Sequence, residues 1–122
     1  MNPFTKYLRQ WSADEDFDAF VGYWDRLEQL TIQVYRQKIT VGAAQPEFDV
    51  VWPWLREEYG RWQTLLEPFW QQSTAVGALT QTDPFLLLLK IQSPAEIPGD
   101  WRLMQHLPAA RETLNQYALT KG

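Results

Sequence analysis

Cysteine is absent from the 122 residues, and histidine occurs once, at His106. The first absence removes disulfides, thiolate metal sites and cysteine nucleophiles together. The second leaves histidine-dependent chemistry a single candidate. A ferritin-like di-metal centre wants Glu-x-x-His pairs on facing helices, but the residue three before His106 is Leu103 and there is no partner histidine. Serine is scarce, at Ser12, Ser73 and Ser93, and none lies in a strand–turn–helix nucleophile setting. Gly22, Gly42, Gly60, Gly77, Gly99 and Gly122 are too dispersed to form a phosphate-cradling loop. No catalytic set, metal or cofactor is expected, and the chain reads as a non-enzyme.

A basic surplus is also missing. Lysine and arginine number 11 against 15 acidic residues, for a net charge of −4. Nucleic-acid binding draws on cations that displace counterions from phosphates, so no nucleic-acid partner is expected. Long apolar runs are lacking too. The most apolar stretch, Pro84 to Ile91, is far short of the roughly 20 residues that cross a bilayer. The first residues, Met1-Asn2-Pro3-Phe4-Thr5-Lys6, have no secretory apolar core. These readings predict no membrane partner and a cytoplasmic location.

Aromatic side chains, in contrast, are plentiful: 7 Trp, 5 Tyr and 6 Phe, or 15% of the chain. Each can bury roughly 150–250 Å². Their spacing is helical. Phe17, Phe20, Trp24, Leu27, Thr31, Val34, Lys38 and Val41 follow alternating steps of three and four. Ser12-Ala13-Asp14-Glu15 reads as a capping box ahead of this stripe, and Gly42 as its stop. A second stripe runs Phe48, Trp52, Leu55, Tyr59, Trp62, Leu66, Phe69, with Gly77 closing the segment. Pro53 either belongs to the first turn of that helix or divides it, and Pro68 is expected to kink it.

Asp83-Pro84 is a cap followed by proline at the first helical position. The apolar body behind it reads as a short buried helix, with a buried strand as the alternative. Ser93 to Gly99 reads as a loop. Leu103, Leu107, Ala110, Leu114 and Tyr117 mark a C-terminal helix that restarts at Pro108. The expected architecture is therefore all-α, one domain over residues 1–122. It is built on a long antiparallel hairpin of about 13–42 and 47–76, plus the short buried helix and the C-terminal helix. Helices of that length outrun what 40-odd residues can cover, which predicts an elongated molecule with uncovered aromatic surface.

Other candidate chemistry is weaker. Arg102-Leu103-Met104-Gln105-His106 resembles the Arg-to-His motif of HEPN-type ribonucleases, but its three-residue spacing is shorter than theirs, and Pro108 is expected to break the supporting helix. His106 is read instead as a partly exposed residue in the turn before Leu107-Pro108. Glu57 lies four before Arg61, the favourable order for a surface ion pair. Asp14, Asp16 and Asp18 lack the glycine and terminal glutamate of a calcium loop.

The aromatics left over from the stripes carry the functional expectation. Trp52 and Trp54 flank Pro53 and cannot share one face, and Trp62 and Trp70 are expected to point apart. Trp11, Trp54, Trp70 and Trp101 are thus the candidate interface anchors, with Arg9 and Arg61 stacking on nearby rings. The expected function is protein–protein association, as a homo-oligomer (a dimer first) or with a helical protein partner. The alternative is an apolar small molecule or pigment held in an aromatic-lined pocket between helices.

Overall fold

The computed structural model describes residues 3–71 and 83–121, and side chains over 15–71 and 83–120. Four helices follow one another: α1 (Pro3–Tyr35), α2 (Val41–Gln71), α3 (Pro84–Leu89) and α4 (Trp101–Lys121), with a 3₁₀ turn at Pro94–Glu96 before α4. Among the described residues there is no strand. The chain is an all-α bundle in which α1 and α2 form the long hairpin and α3 and α4 pack on it. The expected close at Gly77 lies outside the described residues.

At 1.5 Å per residue the long helices span about 50 and 46 Å, and their side chains pair in antiparallel register. Asp16 meets Arg61 at 2.8 Å, and Arg26 grips Glu47 through two bonds of 2.6 and 3.0 Å. Between these pairs Phe17 packs on Trp62 and Phe20 on Tyr59. The aromatic core is completed by Trp24, Phe85 and Tyr117, with ring centroids 4.8–6.4 Å apart. Thr31, the polar member of the first stripe, is buried because its hydroxyl donates back to the Leu27 carbonyl at 2.7 Å.

Both expected boundaries of α1 are corrected. The helix begins at Pro3 and runs through Ser12, so the capping box does not start it. It ends at Tyr35, not Gly42, because Gln37 adopts a left-handed φ of 58°. The amide of Lys38 reaches the Gln33 carbonyl at 2.8 Å and that of Gln37 reaches Val34 at 3.0 Å, the two bonds of a Schellman cap. Lys38 and Val41 therefore leave the stripe. Thr40 then caps α2, its hydroxyl accepting from the Ala43 amide at 3.1 Å. Gly42 falls inside the first turn of α2.

Helix α2 runs unbroken through Pro46, Pro53 and Pro68. All three are exposed, so the carbonyls left without a donor face water, on the side where a helix wrapping a core bends outward. Pro108 likewise interrupts nothing: α4 starts at Trp101, capped by Asp100, and continues to Lys121. The expected restart there is corrected for the same reason.

Helix α3 resolves the strand alternative. Asp83 Oδ1 accepts from the amides of Phe85 and Leu86 at 2.9 and 3.3 Å, with Pro84 at the first helical position. Its body lies antiparallel along α2, held by three α2 side chains at helical spacing. Tyr59 donates to Asp83 at one end. At the other, the Trp52 indole donates to the Leu88 carbonyl at 2.9 Å, and Arg56 donates to those of Leu89, at 2.7 Å, and Ile91.

Candidate functional site

The candidate anchors fall into very different places. The side chains of Arg9 and Trp11 lie outside the described residues. Trp54 is half-buried: its ring stacks on Tyr23 with centroids 3.9 Å apart and planes at 14°. Arg26 sits 5.0 Å from the same tyrosine ring and is itself held by Glu47, so the hairpin uses Trp54 as a brace. Trp70 is only 8% exposed and Trp62 5%, so the expectation that one of them reaches the surface is corrected. Eight residues advance a helix only about 80° past two full turns, and both indoles fit one broad buried face. Arg61 stands 5.8 Å from the Trp62 ring while pairing with Asp16 and with Glu58, the latter at 3.1 Å.

Trp101 is different. It is 59% exposed, and among the described residues it is the one exposed aromatic. The prediction of broad uncovered aromatic surface is corrected accordingly. The segment from α3 to Gly99 covers one flank of α2 and α4 packs on both long helices, while the exposed side of α2 carries Val50 and Leu65 among charged, polar and proline residues.

Helical geometry places Trp101 in company. Trp101, Met104, Pro108 and Arg111 follow steps of three, four and three along one side of α4. The last three line a groove of about 410 Å³ against Glu28, Ile32 and Tyr35 of α1, with Leu107 as its buried floor and Arg36 at its edge. Both helices thus bring apolar side chains to one open channel, and Trp101 extends its α4 wall by one turn.

The charges bordering the channel are mostly neutralised within the chain. Arg111 pairs with Asp25 and, at 3.2 Å, with Glu28. Arg102 turns toward Asp100 at 3.0 Å, and that hydrogen bond holds the Asp100 carboxyl below its ordinary value. Arg36 has no carboxylate partner among the described residues.

His106 is 4% exposed and sits within α4, which corrects its expected place in an open turn. Its Nδ1 lies 2.8 Å from the Arg102 carbonyl; a carbonyl only accepts, so Nδ1 carries the proton. Nε2 is buried with no partner. The Arg102 guanidinium bonds to Asp100 and not to the imidazole. Glu57 is exposed and its expected bond to Arg61 is not made; Arg61 uses Glu58 instead. Among the described residues no group of three or more His, Asp or Glu side chains could hold a metal ion. Among them, too, no helix is long and apolar enough to cross a membrane.

Sequence reasoning found Trp101 from its type alone but missed the groove beside it. The available signal was the apolar pair Ile32 and Tyr35, lying off the main stripe of α1 at a spacing that matches Met104 and Leu107. Comparison with known protein families, with curated proteins and with solved structures finds no match to this chain.

Proposed function

We propose that this chain is a non-enzymatic association module in a cytoplasmic setting, docking an apolar helical surface, a second copy of itself first, on the channel between α1 and α4. The observation that supports this reading is the placement of Trp101. A large indole, 59% exposed, continues the line of Met104 and Pro108 that walls an apolar groove. Exposed aromatics beside apolar channels are where interfaces concentrate their binding energy. The bordering ion pairs support it further, because paired charges lose less on desolvation than lone ones.

Amide hydrogen exchange at low and high protein concentration tests the reading. Protection should rise with concentration over residues 28–36 and 101–111. A rise confined to other segments, or no rise at all, refutes it.

A further inference from the structure

We infer that the cleft between α2 and the end of α3 binds a small amphipathic carboxylate, its charge on Arg56 and Lys90 and its apolar body on Leu86 and Leu89. The cleft has a volume of about 280 Å³ and is lined by those four residues with Tyr59 and Gln92. It shares no residue with the α1–α4 channel, so its ligand is independent of any association there.

The half-buried Arg56 guanidinium has only neutral partners. Its Nε and Nη2 donate to the carbonyls of Leu89 and Ile91, which satisfy two of its five N–H groups and leave its charge without a counterion. Neither Arg56 nor Lys90 has a carboxylate partner among the described residues. No acidic residue lines the cleft, and the carboxylates nearby are engaged elsewhere. Asp83 accepts from Tyr59 and caps α3, and Glu96 accepts from the amides of Gln92 and Ser93. A cation drawn partly out of water with no opposite charge favours an incoming anion. The two carbonyl bonds also hold the guanidinium in place, with Nη1 left for a ligand, so little ordering is lost on binding.

The rest of the wall selects what the anion is attached to. Leu86 and Leu89 are apolar, the Tyr59 hydroxyl has given its proton to Asp83, and the Gln92 amide donates to the Lys90 carbonyl at 3.2 Å. A polyol finds no hydrogen-bonding set here, and phosphate matches the cations alone. A carboxylate on a short chain or a single ring matches both halves. The volume, just below the roughly 300–1,000 Å³ of drug-sized sites, suits a ligand of that size.

Amide NMR of the full chain, titrated with hexanoate, tests the site. Hexanol offers the chain without the charge, and inorganic phosphate the charge without the chain. Hexanoate should give saturable shifts over residues 56–59 and 86–92 with a Kd of about 1 mM, and both controls should bind at least about tenfold more weakly. Lys90 is exposed, so its substitution leaves the core intact, and circular dichroism checks the helicity of each variant. Lys90→Glu sets a carboxylate on the cleft's own wall and should weaken hexanoate about tenfold; Lys90→Gln, the milder change, should weaken it about threefold.

Hexanol as tight as hexanoate overturns the role of the cations, and phosphate as tight as hexanoate overturns the apolar half. Shifts centred on residues 28–36 and 104–111 place the ligand in the other channel and overturn this site. Unchanged affinity in both lysine variants does the same.

Discussion

The Tyr59 hydroxyl donates to Asp83 Oδ2 at 2.6 Å, while the other oxygen of that carboxylate caps the first turn of α3. One side chain of the long hairpin therefore holds the residue that starts the short helix. Tyr59→Phe should cost about 1–2 kcal/mol. Asp83→Ala should cost more, since it removes the cap as well. The two losses should not add: a double-mutant cycle by urea denaturation should return a coupling of about 1 kcal/mol. Additive losses would show that the tyrosine and the cap act independently.

The same tyrosine sets an alkaline limit. Burial, and then the hydrogen bond to Asp83, pushes the Tyr59 hydroxyl far above its ordinary range. The folded state thus favours the neutral phenol. Its contribution is complete below the usual tyrosine value of about 10 and is lost as pH rises beyond it. The urea midpoint of the parent should fall from pH 9 to pH 11 more steeply than that of Tyr59→Phe. Equal slopes would place the alkaline loss elsewhere.

Arg56 serves the far end of α3, where its guanidinium donates to the carbonyls of Leu89 and Ile91. Arg56→Lys keeps the charge but cannot span both carbonyls. It should cost about 1–2 kcal/mol and speed amide exchange in 84–91 ahead of the hairpin. Unchanged exchange in that segment would mean the fork contributes little.

Gln37 holds a left-handed backbone at the end of α1, a conformation that costs a non-glycine residue about 1–2 kcal/mol. Gln37→Gly should stabilise by about 0.5–1 kcal/mol after the added freedom of the unfolded chain is subtracted, and raise Tm by a few degrees. A lower Tm would mean that the cap is relaxed with glutamine.

Burial separates substitutions at three ring residues. His106→Ala should cost about 2–3 kcal/mol by leaving a cavity in the bundle, with His106→Leu milder because it fills the space and removes the unpartnered Nε2. Trp24→Ala, at 0% exposure, should cost about 3–5 kcal/mol. Trp101→Ala should stay within about 0.5 kcal/mol at dilutions where the chain is monomeric. Denaturation at one low concentration ranks all of them, and a His106→Ala variant as mild as Trp101→Ala would contradict the buried position of the histidine.

The long stripes were legible because Phe17, Phe20, Trp24 and Leu27, and their partners Trp52, Leu55, Tyr59 and Trp62, repeat at the helical period over many turns. Asp83-Pro84 announced α3 through a local cap that needs nothing from the rest of the chain. The α1–α2 turn was not legible, since its left-handed position carries glutamine while glycine stands five residues later, inside the next helix. Proline misled at position 108 and left position 53 open: the cost of a missing amide depends on which side of the helix meets water, and that is a tertiary property. For the same reason Trp101 could be named but not placed. Its meaning comes from a groove whose walls, Ile32 with Tyr35 and Met104 with Pro108, lie some seventy residues apart in sequence.

The prolines along the outer side of α2 bear on how the molecule reaches its fold. Each costs an isolated helix about 3 kcal/mol, and α2 has three within 31 residues. A peptide of residues 41–71 alone should therefore be largely unstructured in water, despite being one of the two longest elements of the bundle. Mixing it with a peptide of residues 3–40 should bring helicity to both at once. Helix α2 thus owes its helicity to packing against the rest of the bundle, α1 first, and chain synthesis delivers α1 before it.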